Sequence, residues 1–340
     1  MNQIRSFDGH SLISPDAIAA YARTFEGAPS DLTAIGPIFS QLDELREAFV
    51  NNEAAGAVTE EVIAVLHQAK SAMKPADWRE AAPIIATHPI AAFLLQDPFT
   101  NWSNRKPRGY SGDAGLLDFV YGHEAQSAEV AAATELGRDI YEMTRNAPSC
   151  AAVRERLDIL AKYVDQTADR VQDAEVLAVA AGHLRESAKS AAGHKGRIKK
   201  WVALDQDPES ISVIESCGVS CVEATPGSVR DIIARPLKYG TFDLVYSAGL
   251  YDYLEHKVAV KVTQRCLQML KPGGSYLFAN FADDIPEDGY MESFMRWELI
   301  LRSEDDIKLI LEDSIGSEHT YETFFGSNRK IIYAVITRRS

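Results

Sequence analysis

The stretch Glu175-Val-Leu-Ala-Val-Ala-Ala-Gly-His-Leu-Arg-Glu186 opens the part of the chain in which short apolar runs alternate with helical patterns. Its apolar run has the length of a buried strand and ends in small residues and Gly182. Small residues let the backbone approach a ligand, and a helix that begins there offers unpaired N–H groups. The repeated glycines of a dinucleotide fingerprint are absent, so a plain strand-to-helix turn is the alternative interpretation.

Further apolar runs of strand length follow at helix-length intervals, at Lys200–Leu204, Val219–Val222, Phe242–Tyr246 and Ser275–Phe281. This alternation predicts βαβ units and a parallel sheet. The last two runs, His319–Phe324 and Ile331–Thr337, are joined by a turn-rich segment and predict an antiparallel hairpin. We therefore predict an α/β fold with a Rossmann-like sheet of seven strands, five parallel and two in the C-terminal hairpin.

The first half of the chain reads as helices, with apolar residues at three- and four-residue steps. The predicted helices are Ile35–Val50, Thr59–Met73, Ser127–Met143 and Ala151–Val171, and Pro148 marks a break before the last. The predicted domains are a helical N-terminal domain at 1–148, with an active-site lid at about 104–122, and a sheet domain at 149–340.

Composition narrows the class of protein. The chain has 340 residues, 46% hydrophobic and 25% charged, with a net charge of −14, which excludes wholesale disorder. An acidic surface repels phosphate backbones, so no nucleic-acid partner is expected, and the basic residues of 195–200 read as a solvated turn.

No apolar stretch approaches a membrane span, and Met1–His10 lacks the apolar core of a signal peptide. We expect a cytoplasmic protein without a membrane partner; the four dispersed cysteines predict reduced thiols and no metal site.

Polar residues and glycines recur where the predicted strands end, which is where open α/β sheets bind ligands. Asp205 ends the second strand, about 20 residues after the glycine turn, a position from which carboxylate oxygens bind a ribose. Asp207, before Pro208, reads as a helix cap. The fourth strand ends in Ser247-Ala-Gly249, and Leu270-Lys-Pro-Gly-Gly274 forms a sharp turn before the fifth.

Together, the Phe242-Asp-Leu-Val245 strand and the Leu270–Gly274 turn resemble the class I S-adenosylmethionine-dependent methyltransferases, over about residues 151–339. The resemblance implies S-adenosylmethionine as the cofactor. It also implies that Gly182 and its neighbours approach the methionine part, Asp205 the ribose and Gly227–Val229 the adenine. With Tyr121, which we expect in the lid, the candidate cofactor-binding residues are Tyr121, Ala180, Gly182, His183, Asp205, Gln206, Ser228, Val229, Ser247 and Gly249. Ala-Ala-Gly-His stands where this superfamily usually has several glycines.

A narrower resemblance covers about residues 100–340. The segments Asn104–Tyr121, Ala181–Glu186 and Gly249–Tyr253 are similar to bacterial methyltransferases related to 3-hydroxypalmitate methyl ester synthase, which also carry a helical N-terminal extension. Members of such a group need not share a substrate, so the fatty-acid ester is an analogy.

Methyl transfer is a direct displacement, so the protein contributes mainly positioning and, for a hydroxyl or amine acceptor, a base. A carboxylate acceptor is already ionised and needs none. The candidate catalytic residues are Tyr110, Asp252 and His256, and the candidate substrate-binding residues are Arg108, Tyr251, Tyr253, Trp297 and Arg302. Trp297 and Arg302 fall in a predicted helix, Glu292–Arg302. The alternatives are an Arg108–Asp113 pair, a surface role for His256 and core packing for Trp297.

We therefore predict an S-adenosylmethionine-dependent methyltransferase acting on a small-molecule acceptor, by O-methylation and with a carboxylate preferred. One alternative is a non-catalytic cofactor-binding or interaction protein. Another is an NAD-type dehydrogenase, which the Lys271-Pro-Gly-Gly274 turn and the terminal hairpin disfavour. The sequence leaves open whether the chain forms a homo-oligomer.

Overall fold

The computed structural model describes residues 35–340, so the expectations for Met1–His10 and for the start of the N-terminal domain lie outside it. The described residues fall into two compact units. The sheet unit comprises Ala152–Asp283 and Leu299–Ser340, and the helical unit comprises 35–151 and Asp284–Glu298. No helix of the described residues is long and apolar enough to cross a membrane.

The helical unit is built from helices, most of which bury an apolar face, although the one at Ser127–Ala132 has no buried residue. They are α1 (Ile35–Val50), α2 (Ala55–Ala72), α3 (Pro75–Ile85), α4 (Ala91–Leu94), α5 (Pro98–Arg105), α6 (Ala114–Tyr121), α7 (Ser127–Ala132), α8 (Glu135–Thr144) and the start of α9 (Pro148–Arg170). The single helix predicted at Ser127–Met143 is wrong, since α7 and α8 are separate helices. The second begins because the Thr134 hydroxyl accepts a hydrogen bond from the Gly137 N–H at 3.0 Å.

The segment Asp284–Glu298 follows the fifth strand in sequence and yet belongs to the helical unit. Its short helix α14 (Asp288–Ser293) is held by Lys70, whose Nζ lies 2.9 Å from Asp288 and 2.7 Å from Glu292. The helix predicted at Glu292–Arg302 is therefore wrong. The backbone turns at Arg296, which has a left-handed φ of +52°, and this conformation ends a right-handed helix.

The sheet unit contains a seven-stranded sheet, which confirms the predicted fold class. Its strands are β1 (Ala174–Val179), β2 (Ile198–Asp205), β3 (Val222–Pro226), β4 (Phe242–Ser247), β5 (Leu270–Phe281), β6 (His319–Phe325) and β7 (Ile331–Arg338). The order is β3-β2-β1-β4-β5-β7-β6, with β7 antiparallel to both neighbours. The third strand lies later than the predicted Val219–Val222, because the Val222 N–H donates to the Val219 carbonyl in a turn.

Helices of the sheet unit cover the sheet and connect its strands: α10 (Ala191–His194), α11 (Pro208–Glu215), α12 (Val229–Ala234), α13 (His256–Gln268) and α15 (Glu304–Ser314). The amino ends of β1, β4 and β5 are joined by Lys271, whose Nζ lies 2.7 Å from both Glu175 and Asp243. From β1 the chain proceeds to β2 and β3 on one side of the sheet, and it then returns to form β4 on the other side of β1, so the strand order reverses between β1 and β4. Ligands bind at such a switch point, which here lies between β1 and β4.

Candidate functional site

The loop after β1 has an unusual backbone. Ala180, Gly182 and Leu184 all have left-handed φ values, of +53°, +55° and +50°. Glycine adopts this conformation without strain, whereas other L-residues adopt it at a cost. The loop thus keeps a glycine-loop shape with only one glycine, and its Ala181 N–H is bonded to the Leu204 carbonyl of β2 at 3.0 Å. These contacts bring the loop beside the end of β2.

Asp205 connects the two strand ends. Its carboxylate accepts hydrogen bonds from the Gly182 N–H at 2.8 Å and from the Asp207 N–H at 2.9 Å. The side chain is largely buried, and burial raises the pKa of this carboxyl while the backbone donors oppose the rise. Asp207 caps α11 through the Glu209 N–H at 2.9 Å, as predicted. The structure therefore brings Gly182 and Asp205 together.

The turn after β3 lies next to Asp205, because the Gly227 N–H donates to the Asp205 carbonyl at 2.9 Å. The Ser228 side chain is used in a capping box with Asp231, and the Val229 side chain packs in the core. Any contact of Val229 with a ligand would thus come from its backbone. Gln206 is exposed beside this turn.

The end of β4 lies against the loop after β1. The Ser247 hydroxyl donates to the Val179 carbonyl at 3.0 Å, and the Tyr246 hydroxyl donates to Glu186 at 2.6 Å. Burial raises the pKa of Glu186, which the Tyr246 hydrogen bond partly offsets. A Cβ placed on Gly249 would meet no atom nearer than a guanidinium nitrogen of Arg156, at 4.0 Å. The end of β4 is therefore open at Gly249.

Arg156 and Glu186 are site residues that the sequence interpretation missed. Arg156 lies on α9, is 5% exposed, and is close enough to Glu186 and Asp252 that its charge lowers the pKa of both. The sequence carried one signal for Arg156, because the residue lies on the apolar face of a predicted helix, one turn from Ala152 and Leu160.

Asp252 is buried, and its position does not support the catalytic role predicted for it. Its Oδ1 accepts the Phe281 N–H at 2.7 Å, which ties the segment after β4 to the end of β5. Burial raises its pKa to about 6, and the charges of Arg156 and Arg302 oppose that rise. We interpret Asp252 as a structural residue.

Tyr251 and Arg302 were predicted to bind substrate, and their burial does not support those roles. The Tyr251 side chain has no exposed surface; its ring stacks on Phe278 at 4.0 Å and its hydroxyl is 2.6 Å from that of Thr263. The short 3₁₀ turn after β4 directs it into the core. Arg302 is 5% exposed, and its guanidinium donates to the carbonyls of Tyr251 and Leu254. Both residues hold the turn together.

The position of His256 does not support the catalytic role predicted for it. It begins α13, its side chain is 45% exposed, and its Nε2 lies 2.8 Å from an oxygen of Asp313. The shallow depression that it lines contains only residues of α13 and Asp313, with no residue of the loops after β1, β2 or β4. The surface interpretation of His256 is therefore supported.

His183 is buried in the loop after β1, 3.3 Å from the Arg185 guanidinium through its Nδ1. Because arginine can only donate, Nδ1 is the acceptor and the ring proton of neutral His183 resides on Nε2. Tyr253, after β4, is partly buried.

The remaining predicted residues belong to the helical unit. Arg108 lies beside Asp113, with Nε 3.9 Å from Oδ1, so the alternative pairing of these two residues is supported. Tyr110 lies in the same connection, Tyr121 ends α6, and both are partly buried. Trp297 is 5% exposed and its backbone N–H donates to the Met291 carbonyl. The roles of Tyr110 and Tyr121 stay predictions.

Among the described residues, no group of three or more His, Cys, Asp or Glu side chains is arranged to hold a metal ion. None of the four cysteines, all of which lie within residues 35–340, is part of a disulfide.

Comparison with known proteins supports the interpretation of the sheet unit. Residues 177–278 match the family model of a methyltransferase domain, a range that begins in β1 and ends in β5. It contains Gly182, Asp205 and Gly249. No curated protein matches the chain.

Solved structures are similar to this chain at low sequence identity, and the first of the following shares its fold. A possible exported protein from Bordetella parapertussis is 17% identical, with a TM-score of 0.56, over 79% of this chain and 100% of that one. The N-methyltransferase NodS from Bradyrhizobium japonicum, in complex with S-adenosyl-L-homocysteine, is 18% identical, with a TM-score of 0.39, over 66% and 100%. An S-adenosylmethionine-dependent methyltransferase from Clostridium acetobutylicum is 12% identical, with a TM-score of 0.38, over 54% and 91%.

Proposed function

We propose that this chain, whose sheet unit is a class I S-adenosylmethionine-dependent methyltransferase domain, methylates an oxygen atom of a small molecule, with a carboxylate as the acceptor. The superfamily predicted from the sequence is confirmed by the match of residues 177–278 and by the sheet order. The narrower group related to 3-hydroxypalmitate methyl ester synthase stays a prediction.

The cofactor of this domain is S-adenosylmethionine, and the residues at the switch point fit it. Asp205 is a buried carboxylate at the end of β2, where a ribose diol would be bound. Gly182 lies in the loop after β1, bonded to Asp205, and Gly249, after β4, leaves room for a ligand beside the backbone. When bound, the cofactor supplies the electrophilic methyl group.

One observation carries the choice of a carboxylate acceptor: none of the candidate bases in the described sheet unit is placed to accept a proton. His256 is on the surface, paired with Asp313. Asp252 is 2% exposed and bonded to a backbone N–H. His183 accepts a hydrogen bond from Arg185 through Nδ1, so neither ring nitrogen of its Nε2–H tautomer is available to take a proton. A carboxylate is ionised at neutral pH and attacks the methyl group without a base, so the protein needs only to position it.

The charge distribution supports a small-molecule acceptor rather than a nucleic acid. The basic residues of 195–200 include three that form ion pairs with acidic side chains: Arg197 with Asp169, Lys199 with Glu175, and Lys200 with Glu223. Their charges are thus largely neutralised within the sheet unit.

The test is to incubate the full chain with S-adenosylmethionine carrying a tritiated methyl group and a panel of aliphatic and aromatic carboxylic acids, alcohols and phenols. Methyl esters release volatile tritiated methanol in mild alkali, whereas methyl ethers do not. We expect alkali-labile label with at least one acid. Because the acceptor is ionised throughout, we expect a rate nearly independent of pH between about 6 and 9.

Asp205→Ala should abolish both the labelling and the binding of S-adenosylhomocysteine, and His256→Ala should change neither. Alkali-stable label, with a rate that rises with pH, would refute the carboxylate acceptor and favour a hydroxyl. Calorimetric binding of NAD without binding of S-adenosylhomocysteine would refute the function as a whole.

A further inference from the structure

We propose that the outer edge of β6 pairs with the same strand of a second copy of this chain, so that two sheets join across a two-fold axis. Among the described strands, β6 pairs only with β7, over seven consecutive residues without a bulge. Its sequence, His319–Phe325, has no proline and no lysine, and Glu322 is its one acidic residue. Proteins usually protect an exposed edge with proline, lysine or a bulge. The edge of β6 therefore has the features of a strand that pairs.

The edge at the other end of the sheet is protected. β3 has only five residues and ends in Pro226, which has no N–H to donate. Its Glu223 forms an ion pair with Lys200 of β2, 2.9 Å apart. Pairing of β6 with β3 of another chain would build an open filament, and these features of β3 disfavour it. Pairing of β6 with itself closes a dimer instead.

Two hydrogen bonds show which backbone groups of β6 face outward. The Arg339 N–H donates to the Glu318 carbonyl at 2.8 Å, and the Gly326 N–H donates to the Ile331 carbonyl at 2.9 Å. The even-numbered residues at this edge thus bond towards β7. Bonded and non-bonded positions alternate along an antiparallel pair, so the odd-numbered residues of β6 direct their backbone groups to the open edge. Tyr321, at the centre of the strand, is one of them, and its side chain is exposed.

Contacts on both faces hold β6 in place. On one face, the Thr323 hydroxyl donates to Glu304 of α15 at 3.1 Å. On the other, the Phe324 ring stacks on Tyr163 of α9, with 6.4 Å between the ring centroids. The strand is extended before any partner binds, which lowers the entropic cost of pairing. An added strand gains its affinity from main-chain hydrogen bonds of this kind.

The charges of the strand select its register. Residues 320–322 are the exposed run of β6. A two-fold axis at Thr320 would place Glu318 opposite Glu322 of the second copy, and an axis at Glu322 would place the two Glu322 side chains opposite each other. Like charges in opposite positions are destabilising. An axis at Tyr321 avoids both arrangements: the two Tyr321 residues exchange backbone hydrogen bonds, and each Glu322 lies opposite Thr320 of the other copy.

Sedimentation equilibrium of the full chain over a range of concentrations measures the dissociation constant of the dimer. We expect the wild-type chain to dimerise. Thr320→Glu places a second carboxylate opposite Glu322 at two positions in each dimer and should raise the dissociation constant, whereas Thr320→Lys places an ammonium group there and should lower it. Each shift should be roughly two- to thirtyfold. Thr225→Glu is the matched control, because it makes the same change on β3 and should leave the dissociation constant unchanged.

Tyr321→Pro removes an N–H that faces the open edge and none that bonds to β7, so it should give monomers with the circular dichroism of the wild-type chain. A wild-type chain that is monomeric at every concentration would overturn the inference. A dissociation constant that stays the same in both Thr320 variants, or shifts in the same direction in both, would also overturn it, as would a folded Tyr321→Pro that remains dimeric. If Tyr321→Pro does not fold, the two Thr320 variants provide the test. Binding of S-adenosylhomocysteine tests the proposed function separately.

Discussion

Replacing Ala180 by glycine should stabilise the sheet unit, although the same change in a helix destabilises. Ala180 has a φ of +53° and an exposed side chain, so its methyl group adds strain without packing. The left-handed conformation costs an L-residue roughly 1–2 kcal/mol. Glycine also increases the conformational entropy of the unfolded chain, which lowers the free energy of unfolding by about 0.4–1 kcal/mol. The expected net gain is about 0.5–1 kcal/mol, or a rise in Tm of about 1–4 °C for a unit of this size.

Two variants make the sign of this effect diagnostic. Ala180→Val should lower Tm, because a β-branched side chain tolerates a positive φ less well than alanine. Ala168→Gly, near the end of α9, replaces a residue with ordinary helical geometry and should cost about 1 kcal/mol. Opposite signs for the two Ala→Gly changes would identify the backbone conformation at residue 180 as the cause.

Differential scanning calorimetry of the full chain, with and without S-adenosylhomocysteine, measures the effect. Ala180→Gly should also keep the ligand affinity, since the shape of the loop is retained. A decrease in Tm equal to that of Ala168→Gly would refute the left-handed loop. It would also refute the argument that the loop after β1 keeps a glycine-loop shape with only one glycine.

Further predictions concern buried acids and the surface histidine. Tyr246→Phe removes the hydrogen-bond donor to Glu186 and should lower the free energy of unfolding, measured by urea titration, by about 1–3 kcal/mol. The loss should be larger at pH 8 than at pH 5, because only the ionised acid needs the donor. Asp97 is buried in the helical unit, and burial raises its pKa to about 6. Because this acid ionises at a lower pH in the unfolded chain, the free energy of unfolding should fall by up to about 3 kcal/mol as the pH rises from 4 to 6. Urea unfolding of Asp97→Asn should show no such fall. His256→Ala removes only a surface pair with Asp313 and should change the unfolding free energy by less than about 1 kcal/mol, leaving the calorimetric affinity for S-adenosylhomocysteine unchanged.

Much of the sheet was predictable because each strand is a local pattern. Apolar runs such as Phe242–Tyr246 recur at helix-length intervals, and this spacing allows parallel pairing with few alternatives. Boundaries were less predictable. The apolar run Val219–Val222 has strand composition, yet a Val219–Val222 hydrogen bond closes a turn and moves β3 later.

The site was predictable where a residue's role follows from its place at a strand end. Gly182 and Asp205 directly follow β1 and end β2, and the parallel pairing of these strands is enough to bring them together. Tyr251 and His256 lie in the segment after β4, but the direction in which each side chain points depends on the local backbone conformation. The 3₁₀ turn directs Tyr251 into the core, and the first turn of α13 directs His256 towards Asp313.

The amino-acid sequence alone therefore determined the order of helices and strands, the parallel sheet with its final hairpin, and the polar residues at the strand ends, because these depend on periodicity and on turn chemistry within a few residues. Only the tertiary structure decided that Arg156 meets Gly249 and that Asp284–Glu298 joins the helical unit through Lys70. Both depend on contacts between residues far apart in the chain. A periodic pattern shows which face of a helix is buried, but the packing of distant elements determines which groups that face contacts.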